Sequence, residues 1–160
     1  MVPADLQAVL AVQAACYPPP MQEAAHVILA RLRASSDTVL VAADGEGVCA
    51  YLFAYPSLLG KVTPLGGAFA VPAFPDTLYL HDLAVAPRAA GFGLARRLVA
   101  QLLDTAQHAG RRHSALVAVQ DSAAFWAGFG YAPHAAQRDD ADAAALATYP
   151  PGAAYLARTL

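Results

Sequence analysis

Over residues 5–15 the apolar side chains Leu6, Val9, Leu10 and Val12 recur three and four positions apart, which predicts a helix. Pro18-Pro19-Pro20 ends it, because proline cannot continue the helical ladder. A second amphipathic stretch, 21–34, places Ala25, Ile28, Leu29 and Leu32 on one stripe, with Glu23, Arg31 and Arg33 expected largely off it. Residues 38–43 and 48–55 are rich in β-branched and aromatic side chains and flank Asp44-Gly45-Glu46-Gly47, a hairpin composition. Residues 56–77 contain Pro56, Pro64, Gly66-Gly67, Pro72 and Pro75 and read as a long loop, suited to covering a substrate. A strand over 78–85, a turn, and a helix from about 92 to 108 follow. The inward face of that helix is expected to carry Leu94, Leu98, Gln101, Leu102 and Thr105. A strand over 113–120, a short helix over 122–128 and a closing strand over 153–160 complete the pattern, without an internal repeat.

The chemistry starts at Arg88-Ala89-Ala90-Gly91-Phe92-Gly93. A strand that feeds a glycine-rich turn and then a helix leaves several backbone N–H groups unpaired at the positive end of the helix dipole, which makes an anion site. Gly91 and Gly93 let an anion approach those amides, and Arg88, Arg96 and Arg97 add charge. Taken alone, a Gly-x-Gly pair is equally compatible with tight packing or a bend. The run Gly91-Phe92-Gly93-Leu94-Ala95-Arg96 lacks the third glycine of a dinucleotide fingerprint, and no Gly-Lys-Ser/Thr follows to make a P-loop.

With the strand before it, the turn reads Leu83-Ala84-Val85-Ala86-Pro87-Arg88-Ala89-Ala90-Gly91-Phe92-Gly93-Leu94. Phe125-Trp126 and Gly130-Tyr131 add an aromatic pair and a Gly-aromatic step further on. In these features the chain resembles the GCN5-related N-acetyltransferase (GNAT) family from about Asp5 onward. The resemblance implies an α/β fold of α+β type: a mixed, mostly antiparallel sheet, splayed between the fourth and fifth strands of the family, with helices on both faces. It implies acetyl-CoA as cofactor. The pantetheine arm would lie in the splay against the backbone of Leu83, Ala84 and Val85, with the pyrophosphate on the amides from Phe92 to Ala95. Arg88, Gly91, Phe92, Gly93, Leu94, Ala95, Phe125 and Trp126 complete the expected cofactor contacts. The usual first strand has almost no room in Met1-Val2-Pro3, so it is short, absent or lost to the choice of start site. The expectation is one acetyltransferase domain over residues 1–160.

Acetyl transfer needs a neutral amine and stabilisation of the oxyanion and the leaving thiolate. Alternation along 78–85 predicts Tyr79, His81, Leu83 and Val85 on one face and Leu80 and Asp82 on the other. His81 titrates in the useful range and matches the position of a base-assisting histidine in family members, so it is the first catalytic candidate, with Asp82 in reserve. His26, His108, His113 and His134 read as surface or packing residues. By resemblance the Leu83 N–H is the oxyanion donor, given a local bulge. Trp126 stands where the family has the tyrosine that protonates the thiolate, and an indole N–H is no acid near neutral pH. Ser122, Tyr131, Tyr51, Tyr55 and water remain as proton donors.

Composition narrows the partners. The 10 basic and 12 acidic residues give a formal charge of −2, with no run of one sign, which argues against nucleic acid. There is no apolar stretch of about 18 residues and no basic leader, so neither a membrane nor export is expected and the location reads as cytoplasmic. Cys16 and Cys49 lack metal-ligand spacing and read as two buried reduced thiols, and no metal is expected. The apolar character of 56–77 points to a small-molecule primary amine as acceptor, and a homodimer stays open. Two other functions compete: a catalytically weak acyl-CoA-binding sensor or interaction module, suggested by Trp126, and a nucleotide-dependent oxidoreductase using Gly91 and Gly93 with Arg111-Arg112 on a 2′-phosphate, for which one βαβ unit is too little.

Overall fold

The computed structural model describes residues 1–135 and 140–160. Helix α1 (Leu6–Cys16) follows a turn of 3-10 helix, and α2 (Ala25–Ala34) comes after the proline run. Strands β1 (Val39–Asp44), β2 (Gly47–Ser57) and β3 (Thr77–Val85) lead into α3 (Leu94–His108). β4 (His113–Ala118), α4 (Ala123–Ala127), β5 (Ala132–Pro133), α5 (Asp140–Leu146) and β6 (Ala154–Thr159) close the chain. The six strands form one open sheet in the order β1-β2-β3-β4-β6-β5. Only β3 and β4 pair in parallel; the other neighbours are antiparallel. Among the described residues no strand precedes α1, so the family's fourth and fifth strands are β3 and β4 here.

Alternation along β2 builds two cores. Tyr51, Phe53 and Tyr55 pack with Val9, Val12, Ile28 and Leu32 of α1 and α2 on one face. Ala50, Leu52 and Ala54 pack with Leu98, Val99 and Leu102 of α3 on the other. Rings on one side and small or aliphatic side chains on the other let α3 lie close to the sheet.

β3 departs from its expected alternation. Its register with β2 runs Phe53 to Asp82 and then Ala54 to Leu80, so His81 is an extra, unopposed residue: a β-bulge. The bulge flips every later side chain to the opposite face. Tyr79 and Ala84 belong to the α1/α2 core, whereas Leu83 and Val85 pack against the α3 core. Parallel pairing to β4 runs from Thr77 to Leu80 and stops there, so the sheet splays from the bulge onward.

Four further departures follow. Glu23 and Arg31 are buried, not turned to water. Arg31 lies three residues after Ile28 and one before Leu32, on the inward side of α2 by helical geometry. Its guanidinium pairs with both oxygens of Glu23, donates to the Gly67 carbonyl from Nε (3.0 Å) and Nη2 (2.7 Å), and sits over the Phe69 ring. α2 starts at Ala25 because the prolines hold Pro19–Met21 in a 3-10 turn, while the Gln13 side chain exchanges two hydrogen bonds of 3.0 Å with the Glu23 backbone. On α3 the buried face is Leu98, Val99, Leu102, Leu103 and Ala106; Gln101 and Thr105 are exposed. Finally, α5 and the two-residue β5 had no counterpart in the hydropathy pattern, the first being alanine-rich and the second short.

Removing one partner of a buried ion pair strands the other charge, so Arg31→Leu should cost about 3–5 kcal/mol in urea unfolding. The double change Glu23→Leu/Arg31→Leu should cost less than either single change.

Candidate active site

Beyond Leu80 the two strands part around a cavity of ≈ 230 Å³. His81, Asp82, Leu83 and Val85 line it from β3, Ala95 from α3, and Phe125 and Trp126 from α4. Seven of the residues expected at the site are thus brought together. Ala84 is not among them: the bulge turns its side chain into the opposite core. The Ala86 N–H donates to Cys49 on β2, which by alternation turns the backbone groups of Leu83 and Val85 toward the open edge. Tyr17 Oη reaches the Leu83 carbonyl there at 2.9 Å, and the Cys16 thiol reaches that of Val85 at 3.2 Å. Cys16 is accordingly half-buried at the edge of the site, while Cys49 is fully buried.

A second cavity of ≈ 30 Å³ adjoins the first and shares Tyr17, His81, Asp82, Val117 and Val119 with it. Met21, Glu23, Leu65 and Tyr149 complete its wall. Asp82 therefore borders both spaces. Its two carboxyl oxygens accept from Tyr17 Oη (2.8 Å) and Tyr51 Oη (2.9 Å). Burial pushes the Asp82 carboxyl up to about 6; the Tyr17 hydrogen bond opposes this, the Glu23 charge adds to it, and Tyr51 and Arg31 pull it back. Burial and the Asp82 charge hold both tyrosines well above their usual range, so they remain donors. When Asp82 takes a proton, Tyr17 can turn its own hydrogen to the Leu83 carbonyl and accept from the carboxyl, so both protonation states are satisfied.

His81 is arranged differently. Its side chain is only 2% exposed and faces Glu23 Oε1 (Nε2, 3.4 Å) and Tyr149 Oη (Nδ1, 3.5 Å). Burial holds the imidazole below its usual 6.5, against the Glu23 hydrogen bond. Burial would raise Glu23, yet the hydrogen bonds of His81 and Arg31 and their charges, the imidazole being protonated at the acid pH where Glu23 titrates, hold it at about 2. Near neutral pH the cluster is thus an ionised Glu23–Arg31 pair with a neutral imidazole against it.

At the other end of the cavity, Gly91 and Gly93 have φ of +84° and +74°, conformations that other L-residues adopt only at a cost. A Cβ on either would meet nothing within 4 Å, so tight packing is not their reason. Gly93 caps α3, and among the described residues the amides from Phe92 to Ala95 have no protein acceptor. Phe92 is exposed and Leu94 half-buried. Arg88 does not extend this turn: its guanidinium is held by Asp44 and by the carbonyls of Gly47 and Val48 on the hairpin. Arg96 lies over the rings of Phe125 and Phe129, and Arg97 is exposed.

Of the proton donors considered, Tyr131 bonds Ser114 and Tyr55 bonds Thr63 in the core, whereas Ser122 lines the larger cavity. Tyr17, Glu23, Arg31 and Tyr149 were not foreseen. Arg31 was detectable from its helical phase, and Tyr17 only from its place between a helix end and a proline run. Among the described residues no three His, Cys, Asp or Glu side chains converge as metal ligands, and no helix is long and apolar enough to cross a membrane.

Comparison with known proteins agrees with this open sheet and the Gly-x-Gly turn that caps α3. The family model described as Acetyltransferase (GNAT) family matches residues 6–131. The chain belongs to this family. No curated protein matches it in sequence. Among solved structures, this GNAT chain is similar to a GNAT-like decarboxylase, GphF, in complex with isobutyryl-CoA, at 17% identity and TM-score 0.74, covering 99% of this chain and 96% of that one. It is similar to the ribosomal-protein-S18-alanine N-acetyltransferase of Escherichia coli at 16% identity and TM-score 0.67, with coverage of 99% and 90%. A GNAT family N-acetyltransferase of Escherichia coli in complex with CoA matches at 23% identity and TM-score 0.60, with coverage of 99% and 78%. At these identities the likeness is one of fold.

The Tyr17 bond lowers the Asp82 pKa, so Tyr17→Phe should raise it. Titration of the Asp82 carboxyl by ¹³C NMR should give a midpoint above the wild-type value of about 6.

Proposed function

We propose that this chain is an acetyl-CoA-dependent N-acetyltransferase that acts on the primary amine of a small molecule. The observation that carries the reading is the position of Asp82, a carboxyl near 6 on the boundary between a cavity fit for a thioester and a smaller one fit for an amine. The pyrophosphate of acetyl-CoA would rest on the amides of Phe92 to Ala95, its close approach allowed by Gly91 and Gly93. The pantetheine arm would run along the open backbone edge at Leu83 and Val85, displacing the Tyr17 and Cys16 donors, between Ala95 and the Phe125-Trp126 pair. Arg88 contributes by fixing the hairpin beside the turn.

In the reaction the amine lone pair attacks the thioester carbonyl carbon, and the Leu83 N–H receives the oxyanion. The amine gives its proton to Asp82 as the C–S bond breaks. Tyr17 passes its proton to the departing thiolate and regains one from Asp82, so the carboxylate is restored. His81, first in the expected order of bases, instead shapes the bulge from which Asp82 projects. Tyr17 supplies the hydroxyl that Trp126 cannot, and this favours turnover over a passive acyl-CoA sensor. The 160 residues would work as one domain. The free thiols favour a reducing, cytoplasmic setting.

The base must be ionised, so kcat/KM for acetyl transfer, expressed per neutral amine, should rise with pH through about 6 and level off above it. Asp82→Asn should lower kcat by about 10²–10⁴-fold and abolish that limb, with the Kd for acetyl-CoA unchanged in calorimetry. Gly93→Ala should weaken acetyl-CoA binding. Full activity in Asp82→Asn, or decarboxylation of an acyl-CoA without transfer to any amine, would contradict the proposal.

A further inference from the structure

The segment between β2 and β3 reaches the smaller cavity at one turn. Pro64-Leu65-Gly66-Gly67 is closed by the Gly67 N–H on the Pro64 carbonyl at 2.9 Å, with Gly66 at φ +73°, the left-handed third position of a type II turn. There is no freedom to splay it: a Cβ on Gly67 would lie 2.7 Å from Pro64 Cγ. The turn is held from three sides. Leu65 N–H donates to Thr148 Oγ1 (2.9 Å), Gly66 N–H to Glu23 Oε1 (2.8 Å), and the Gly67 carbonyl accepts from Arg31. The buried Glu23–Arg31 pair thus pins the turn to α2 on one side while Glu23 faces His81 of the bulge on the other.

That pinning sets Leu65, with Met21, Val117 and Val119, in the wall of the cavity that Asp82 also lines. The space left is ≈ 30 Å³, against about 10–15 Å³ for one water-sized group, so it admits an amine nitrogen and one slender carbon. A second substituent on that carbon would meet Leu65 or the valines. Met21 cannot readily retreat, since it is buried and its N–H is bonded to the Pro18 carbonyl at 2.9 Å.

We propose that Leu65, latched by Glu23 and Arg31, is the residue that restricts the acceptor to primary amines on an unbranched carbon. The proposal rests on the transferase reading above. It assigns the long segment a role as the size gate of the acceptor side rather than as a general cover.

The test compares glycinamide with alaninamide, and ethylamine with isopropylamine, as acceptors in a thiol-release assay with acetyl-CoA. Wild type should favour the unbranched member of each pair by about tenfold or more in kcat/KM, the scale of one misfitted methyl group. Leu65→Ala should collapse that preference by speeding the branched amines. Leu65→Phe should fill the cavity and raise KM for ethylamine about tenfold, with the Kd for acetyl-CoA unchanged. Glu23→Gln, which loosens the turn without touching its apolar wall, should shift the preference in the same direction as Leu65→Ala. Equal use of both members by wild type, or an unaltered preference in Leu65→Ala, would overturn the size gate while leaving the transferase intact. Bound acetyl-CoA without turnover of any amine would overturn the transferase reading and the gate together.

Discussion

One unopposed residue in β3, His81, sets the geometry on which the site depends. Without the bulge, Asp82 would face α3 and Leu83 would face α1, as strict alternation demands. With it, Asp82 turns to Tyr17 and Tyr51, Leu83 turns to the α3 core, and the parallel ladder to β4 ends at Leu80. The opening in the sheet and the placement of the Asp82 carboxyl therefore share one cause. A bulge leaves backbone groups unpaired, which is costly in a core and useful beside a ligand channel.

The bulge is held in turn by charge. Glu23 and Arg31 neutralise each other in the core and distribute their remaining bonds to the bulge, to the glycine turn of the long segment and, through the Glu23 backbone, to Gln13 of α1. Two charges taken out of water gain little stability by themselves. What they supply here is fixed relative placement of α2, the 64–67 turn and His81, three segments that no strand or helix joins. Arg31 also raises no barrier to Asp82 holding a negative charge, whereas Glu23 opposes it, so the cluster leaves Asp82 able to change its protonation near 6.

Most of the fold was legible in the sequence because it is written in periodicity. The hairpin, the strand before Gly91, α3 and the closing strand all appear where the apolar pattern puts them, within a few residues at their ends. The glycine turn before α3 was legible because positive φ at Gly91 and Gly93 favours glycine. Three features were hidden. The bulge has no compositional mark, since His81 alternates correctly with its neighbours until the register to β2 is known. Arg31 was misplaced because its charge was weighed above its angular position between Ile28 and Leu32. The wall formed by Leu65 arises from a turn whose direction is set only by tertiary partners. The pairing of Arg88 with Asp44 on the hairpin was hidden for a related reason: a sequence position beside Gly91 says nothing of it.

In the proposed reaction the acceptor side and the thioester side meet at Asp82. The most direct measurement is a crystal structure with acetyl-CoA bound. The pyrophosphate should lie on the amides of Phe92 to Ala95, and the acetyl carbonyl between Leu83 and the Tyr17–Asp82 pair, at the boundary of the two cavities. Coenzyme bound away from the splay, or an acetyl group directed away from Asp82, would contradict the proposed reaction.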